Sequence, residues 1–270
     1  MPARAGIEHA RRAARDLVEH YGITEPDHIA IEDLAFRRGL TIYEAPLVGA
    51  VAQLINPRWG RPKLLLSERL VEHDVRRFTI AHDLGHYVLE HPSRSLVELC
   101  DPLARGPERS GERYEELEAN AFASEVLMPE RLVRAECVGV PVSLAPALRI
   151  AHRFRVSPRA AAIRFTELTD AACAAVLSER GVVRWTAPSA TFRSSIPSGK
   201  PLDPRSIAWA YFAGGASTRE AQHVPTAAWI EPEAPVSLLE HSIASFDRGV
   251  VLTMLWALPV ALAATPHVAA

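Results

Sequence analysis

The chain has 270 residues, 48% of them hydrophobic and 23% charged, enough apolar material for one large core or two to three small ones. Its 30 Lys and Arg against 32 Asp and Glu leave a net charge of −2, so the positive field needed for nonspecific attraction to DNA or anionic lipid is missing. Three cysteines, Cys100, Cys137 and Cys173, are an odd number spaced too widely for a zinc knuckle or a disulfide framework, which fits a reducing, cytoplasmic compartment.

Residues 1–21 read as an amphipathic helix and lack the uninterrupted apolar stretch of a signal peptide, so export is not expected. Residues 30–38 carry helical spacing, whereas residues 40–44 and 50–55 have the β-branched and apolar content of strands. A turn-rich run at 56–62 leads into Lys63-Leu64-Leu65-Leu66, which predicts a small, partly antiparallel sheet behind the opening helix. The helical pattern returns over 67–91 and again from about Glu112 to Met128, where Pro129 stops it, with a polar loop between. Residues 144–154 and 158–168 predict two short helices, with Ser157 as N-cap and Pro158 at the first helical position of the second. Beyond about Thr169, residues 173–177 and 181–185 predict a hairpin and 249–255 a central strand, hence a separate C-terminal α/β domain. The apolar stretch 249–264 is shorter than the roughly 20 residues of a membrane helix and is broken by Pro259, so it reads as a buried strand and a tail.

The segment 77–87 places His82 and His86 at i and i+4, so both imidazoles leave the helix on one side, at a separation that one tetrahedral zinc can bridge. The pair alone is equally compatible with core or surface histidines. A third ligand has to come from elsewhere, and the 112–128 helix offers Glu115, Glu116 and Glu118. At about 100° per residue, Glu116 shares an arc with Ala119, Asn120, Ala123 and Leu127, whereas Glu118 falls with Glu125 on the opposite side and Glu115 on the flank. A carboxylate on a buried face is costly unless a cation meets it, so Glu116 is the expected ligand, while Glu112 and Glu115 suit the helix dipole. Two His and one Glu leave the fourth metal position to water, the arrangement of a hydrolytic site. In that chemistry the residue after the first histidine is normally a Glu acting as general base; here it is Asp83.

These residues resemble the ImmA/IrrE family of bacterial metallopeptidases. The matching stretches are 77–86, 116–129 and the helical pair around Val156-Ser157-Pro158, so the resemblance covers roughly residues 5–168. It implies an α+β fold: a zincin-like metallopeptidase domain with a small mixed sheet over 1–138, a helix-turn-helix-like region over 139–168, and a C-terminal α/β sensor-like domain of GAF or PAS type over 169–270. It also implies that His82, His86 and Glu116 bind Zn²⁺ or Mn²⁺, with Asp83 where the family has its catalytic glutamate. The implied task is cleavage of a protein substrate, a helix-turn-helix transcriptional repressor, which switches on a stress response or mobile-element genes, with the extended substrate along the sheet edge near residues 50–66. Because Asp is shorter than Glu by one carbon–carbon bond, roughly 1.5 Å, the alternative is a weakened, metal-binding pseudopeptidase that acts by binding a repressor.

Rival readings compete with this one. Adjacent His82 and Asp83 also resemble the metal pair of phosphohydrolases, with His73 and Asp101 as further ligands, but neighbours on a helix diverge by about 100° and Glu116 is left unexplained. Arg149, Arg153, Arg155, Arg159 and Arg164 raise direct DNA binding through the helical pair, less favoured than a solvated face or a protein dock because the overall charge gives no attraction. His73, His91 and His152 read as surface residues, and Cys100 has no surroundings that would make it a nucleophile. Trp185, Trp209, Trp229 and Trp256 read as core aromatics, although a sensor pocket uses the same residue types. No membrane partner is expected.

Overall fold

The computed structural model describes residues 2–55, 60–91, 95–96, 114–140, 143–214, 220–230, 236–245 and 249–259. The expectations on residues 56–59, Cys100, Asp101, Glu112, the loop before it and the tail beyond Pro259 lie outside them. The described residues are α+β, with eight α-helices and nine strands in two sheets. No helix among them is long and apolar enough to cross a membrane. The chain divides into two compact units, Met1–Ala135 with Ile150–Ala160, and Glu136–Arg149 with Ala161–Ala270.

The first unit opens with α1 (Pro2–His20), whose Ala10, Ala14, Leu17 and Val18 are buried at the spacing of one helical face. A 3₁₀ turn and α2 (Ile31–Arg37) follow, with Ile31, Leu34 and Ala35 inward. Four strands then form a mixed sheet in the order β1-β3-β2-β4: β1 (Thr41–Ala45), β2 (Ala52–Ile55), β3 (Lys63–Ser67) and β4 (Ser95–Leu96). β1 runs parallel to β3, while β2 is antiparallel to both β3 and β4. Strand period 2 buries Leu64 and Leu66 and turns Lys63 outward, each leucine adding about 1.5–3 kcal/mol of burial.

Helix α3 (His73–Val88) starts six residues later than its periodicity suggests, because Ser67 still pairs with Ala45 in the sheet and its carbonyl then accepts from Leu70 N in a turn. Helix α4 (Tyr114–Leu127) ends before Pro129, but the chain does not leave helix there: α5 (Glu130–Cys137) follows at once. Pro129 opens it, its carbonyl accepting from Leu132 and Val133, and buried Glu125 accepts from the Glu130 amide at 3.0 Å.

Helices α6 (Ala145–Phe154) and α7 (Pro158–Leu168) are the two short helices expected there. The turn between them holds Arg155 at φ 54°, with Val156 N bonded to Ala151 O and Arg155 N to His152 O, and Ser157 Oγ accepts from Ala160 N at 3.2 Å.

The second unit is built on an antiparallel five-stranded sheet in the order β6-β5-β9-β8-β7. The strands are β5 (Cys173–Glu179), β6 (Val182–Pro188), β7 (Gln222–Val224), β8 (Val236–Ser245) and β9 (Val250–Pro259). β5 and β6 are the expected hairpin, and β9 lies between β5 and β8. With the short helix α8 (Ile207–Phe212), the sheet encloses a core containing Phe192, Tyr211, Trp229, Leu238 and Leu255. Trp185, Trp229 and Trp256 are buried as expected, whereas Trp209 is 37% exposed.

Candidate metal centre

The close approach of α3 and α4 makes the site. Gly85 lies against α4: a methyl group there would come to 3.1 Å from the Phe122 ring and 3.3 Å from Ala119 Cα. With no side chain at 85, α4 comes near enough for Glu116 to reach the two histidines one turn apart on α3. His82 Nε2 is 3.0 Å from His86 Nε2, and Glu116 lies 3.3 Å from the first and 3.6 Å from the second. All three ligand atoms sit within 4.8 Å of one another, a group able to hold a metal ion. A tetrahedral zinc with bonds of about 2.0–2.1 Å spaces its ligand atoms by about 3.3 Å, so the gaps and the nitrogen and oxygen donors both fit.

Hydrogen bonds prepare these groups. Asn120 Oδ1 stands 2.9 Å from His82 Nδ1 and can only accept, so the proton sits on Nδ1 and the Nε2 lone pair faces the cluster. In the metal-free protein, where an Nε2 proton stands in for the cation, hydrogen bonds from His82 and then His86 hold the Glu116 carboxyl well below the usual carboxylate range, although it is only 24% exposed. The negative charge that a cation needs is therefore in place.

Asp83 is on the same helix but outside the ligand group. It is 0% exposed, and neither carboxyl oxygen has a hydrogen-bond partner among the described residues. Burial pushes its pKa up to about 7; the His86 charge opposes this and the Glu116 charge adds to it.

Several expectations are corrected here. His91 is not a surface residue: its side chain is 8% exposed, with Nδ1 2.9 Å from His86 Nδ1 and Nε2 2.9 Å from Glu118. Glu118 does not face solvent either, since α4 packs against α3 and also against α1. The single-face reading of α4 failed because the helix is covered on both sides. His91 lies beyond the end of α3, where no helical projection applies; the signal that could have found it is a third histidine five residues after His86. The strands near 50–66 are not an open edge throughout: β3 is paired on both sides, and β2 pairs with β4 at Ala52 and Gln53. His73 and His152 are exposed as expected, and the phosphohydrolase scheme loses Asp83 as a partner of the clustered ligands. The arginines of the helical pair do not share one solvated stripe, because Arg164 is buried against Glu167 while Arg149 pairs with Glu136 and Arg155 with Asp27.

Residues 37–166 match the model of the Peptidase_M78 family, the IrrE N-terminal-like domain. This stretch is an IrrE N-terminal-like domain. No curated protein matches the chain. Among solved structures, a Mycobacterium tuberculosis transcriptional regulator is similar with a TM-score of 0.56 at 14% identity, over 95% of this chain and 81% of that one, a likeness of fold. The IrrE N-terminal-like domain spans the strands of the mixed sheet together with α3 and α4, and so includes the His82, His86 and Glu116 group. At the level of the family it is a metallopeptidase-type domain, and the α+β architecture fits a zincin-like fold.

Proposed function

We propose that the protein is a zinc-dependent endopeptidase, with manganese as the second candidate ion, that cuts a helix-turn-helix transcriptional repressor in the cytoplasm and so switches on stress-response or mobile-element genes. The observation that carries this reading is the convergence of the His82, His86 and Glu116 donor atoms at the spacing of one tetrahedral ion. These three residues hold the ion, which when bound supplies Lewis acidity toward a peptide carbonyl and toward water.

Asp83 is the proposed general base: its carboxylate takes a proton from the attacking water and returns it to the leaving amine. Its burial, its lack of a hydrogen-bond partner among the described residues and a pKa of about 7 suit that work. The shorter side chain makes for slow chemistry, since base catalysis contributes about 10²- to 10⁴-fold and depends on reach. Residues 1–138 form the peptidase domain in this proposal, 139–168 the helix-turn-helix-like region that meets the repressor, and 169–270 a GAF- or PAS-like sensor. The antiparallel sheet with its aromatic core supports the sensor assignment, and the fold neighbour's description as a transcriptional regulator supports a regulatory setting.

The test incubates zinc-loaded protein with a panel of purified helix-turn-helix repressors from the same genome and reads fragments by intact mass. The parent cuts one of them, His82→Ala does not, and Asp83→Glu cuts faster. Cleavage by Asp83→Glu alone would reassign the chain as a pseudopeptidase that acts by binding. No cleavage by either would end the endopeptidase reading.

A further inference from the structure

Helix α3 ends in a way that carries His91 back over His86. Leu89 N bonds to Gly85 O at 3.0 Å, Glu90 N to Tyr87 O at 3.2 Å and His91 N to His86 O at 2.9 Å, the pattern of a helix closed by a left-handed residue. That residue is Glu90, at φ 56°, a conformation that disfavours any side chain but is usual for glycine. The turn stacks the His91 ring edge-on against His86, with centroids 5.0 Å apart and Nδ1 to Nδ1 at 2.9 Å.

The polarity of this chain of bonds follows from its far end. A carboxylate only accepts, so His91 Nε2, 2.9 Å from Glu118 Oε2, carries the hydrogen. A neutral His91 then presents a lone pair at Nδ1, and the hydrogen between the two Nδ1 atoms belongs to His86. His86 Nε2 is thereby left with its lone pair facing His82 and Glu116. A ligand histidine usually gives its second N–H directly to a carboxylate, a carbonyl or water; here an imidazole is interposed.

Glu118 fills a space left by a glycine. Helix α1 passes so close to α4 that a methyl group at Gly6 would overlap the Glu118 carboxylate. Gly6 lies upstream of residues 37–166, so the feature that seats this carboxylate falls outside the family match.

We propose that His91 and Glu118 are positioning residues that fix the tautomer and orientation of His86 as a metal ligand, with the Glu118 carboxylate filling the space that the missing side chain at Gly6 leaves. This rests on reading His82, His86 and Glu116 as a metal centre. The full chain is titrated with zinc against a chromophoric chelator, and the visible spectrum of the cobalt-loaded form is recorded, with circular dichroism of the metal-free protein as the control for folding. His91→Phe and Glu118→Leu weaken zinc binding roughly 10- to 100-fold and shift the cobalt bands. Glu118→Gln, whose amide oxygen still accepts from His91, restores most of the affinity, which a merely space-filling role would not require. Gly6→Ala, which touches neither the ion nor its ligands, also weakens binding, and it decides the matter if His91→Phe does not fold. Affinities within about twofold of the parent in Glu118→Leu and Gly6→Ala, with binding abolished in His82→Ala, would overturn the proposal and leave the metal centre standing. Unchanged binding in His82→Ala would instead remove the metal centre and this inference with it.

Discussion

At Asp83 two requirements pull in opposite directions. A carboxyl that is fully buried, with neither oxygen partnered among the described residues, costs stability, yet the same isolation keeps it available to a reacting proton. Asp83→Ala is therefore expected to stabilise the metal-free protein by about 1–3 kcal/mol in urea unfolding, while cleavage falls by about 10²- to 10⁴-fold. A loss of stability in that variant would mean that Asp83 has a structural partner. At Cys173 burial dominates: against a hydrogen bond from Ser189, and with the Cys137 charge adding, it pushes the thiol pKa up to about 12, so the thiolate that reacts with alkylating agents is scarce at pH 8. Iodoacetamide should leave Cys173 unmodified in the native protein and label it after denaturation, as read by peptide mass mapping.

Among the elements, the α3–α4 contact governs the site through one missing side chain. Gly85→Val drives two methyl groups toward Phe122 and the Ala119 backbone, for which an overpacking cost of about 1–3 kcal/mol is expected. Because α4 carries both Glu116 and Asn120, the same substitution should weaken zinc affinity in chelator competition, whereas a purely local strain would leave it unchanged. Strand β8 makes the corresponding point in the second unit. Glu240 is buried in it and accepts from Ile207 N at 3.0 Å, Ala208 N at 2.6 Å, Trp229 Nε1 at 2.7 Å and Ser242 Oγ at 2.9 Å. It ties the sheet to α8 and to the core tryptophan. At acid pH the protonated Glu240 carries a single O–H among these donors, whereas Glu240→Gln turns a two-hydrogen NH₂ toward them and should cost about 1–3 kcal/mol.

Two perturbations separate the units in the whole molecule. On the proposed reading zinc is held by the folded first unit alone, so an excess of 100 times Kd should add about 2.7 kcal/mol to its stability by mass action, and none in His82→Ala. Glu240 acts on the second unit through pH. Burial lifts its pKa above the ordinary glutamate range, with the four hydrogen bonds opposing. The folded state therefore holds this proton more tightly than the unfolded state, and the stability it contributes is complete below about pH 4.5 and declines as pH rises through the raised value. The difference in unfolding free energy between the parent and Glu240→Gln should accordingly be largest at the acid end of that window and shrink toward neutrality. A constant difference across it would mean that Glu240 titrates normally.

Local periodicity and spacing were sufficient for much of this protein. The faces of α1 and α2, the alternation in β3, the i, i+4 pairing of His82 and His86, and the Ser157 cap all depend on neighbours within a few residues, whose geometry the backbone imposes. Features that depend on distant partners could not be read that way. β8 breaks its apolar run with Glu240, His241 and Ser242, which are acceptable inside because distant groups meet them: the Ile207 and Ala208 amides the carboxylate, the Leu144 amide His241 Nδ1, and Thr253 Oγ1 the Ser242 hydroxyl. His91 joins the site only through the left-handed turn at Glu90, and Glu118 becomes an inward residue only once α1 covers the second side of α4. One-dimensional order specifies which way a side chain leaves its own helix; what meets it there is determined by packing.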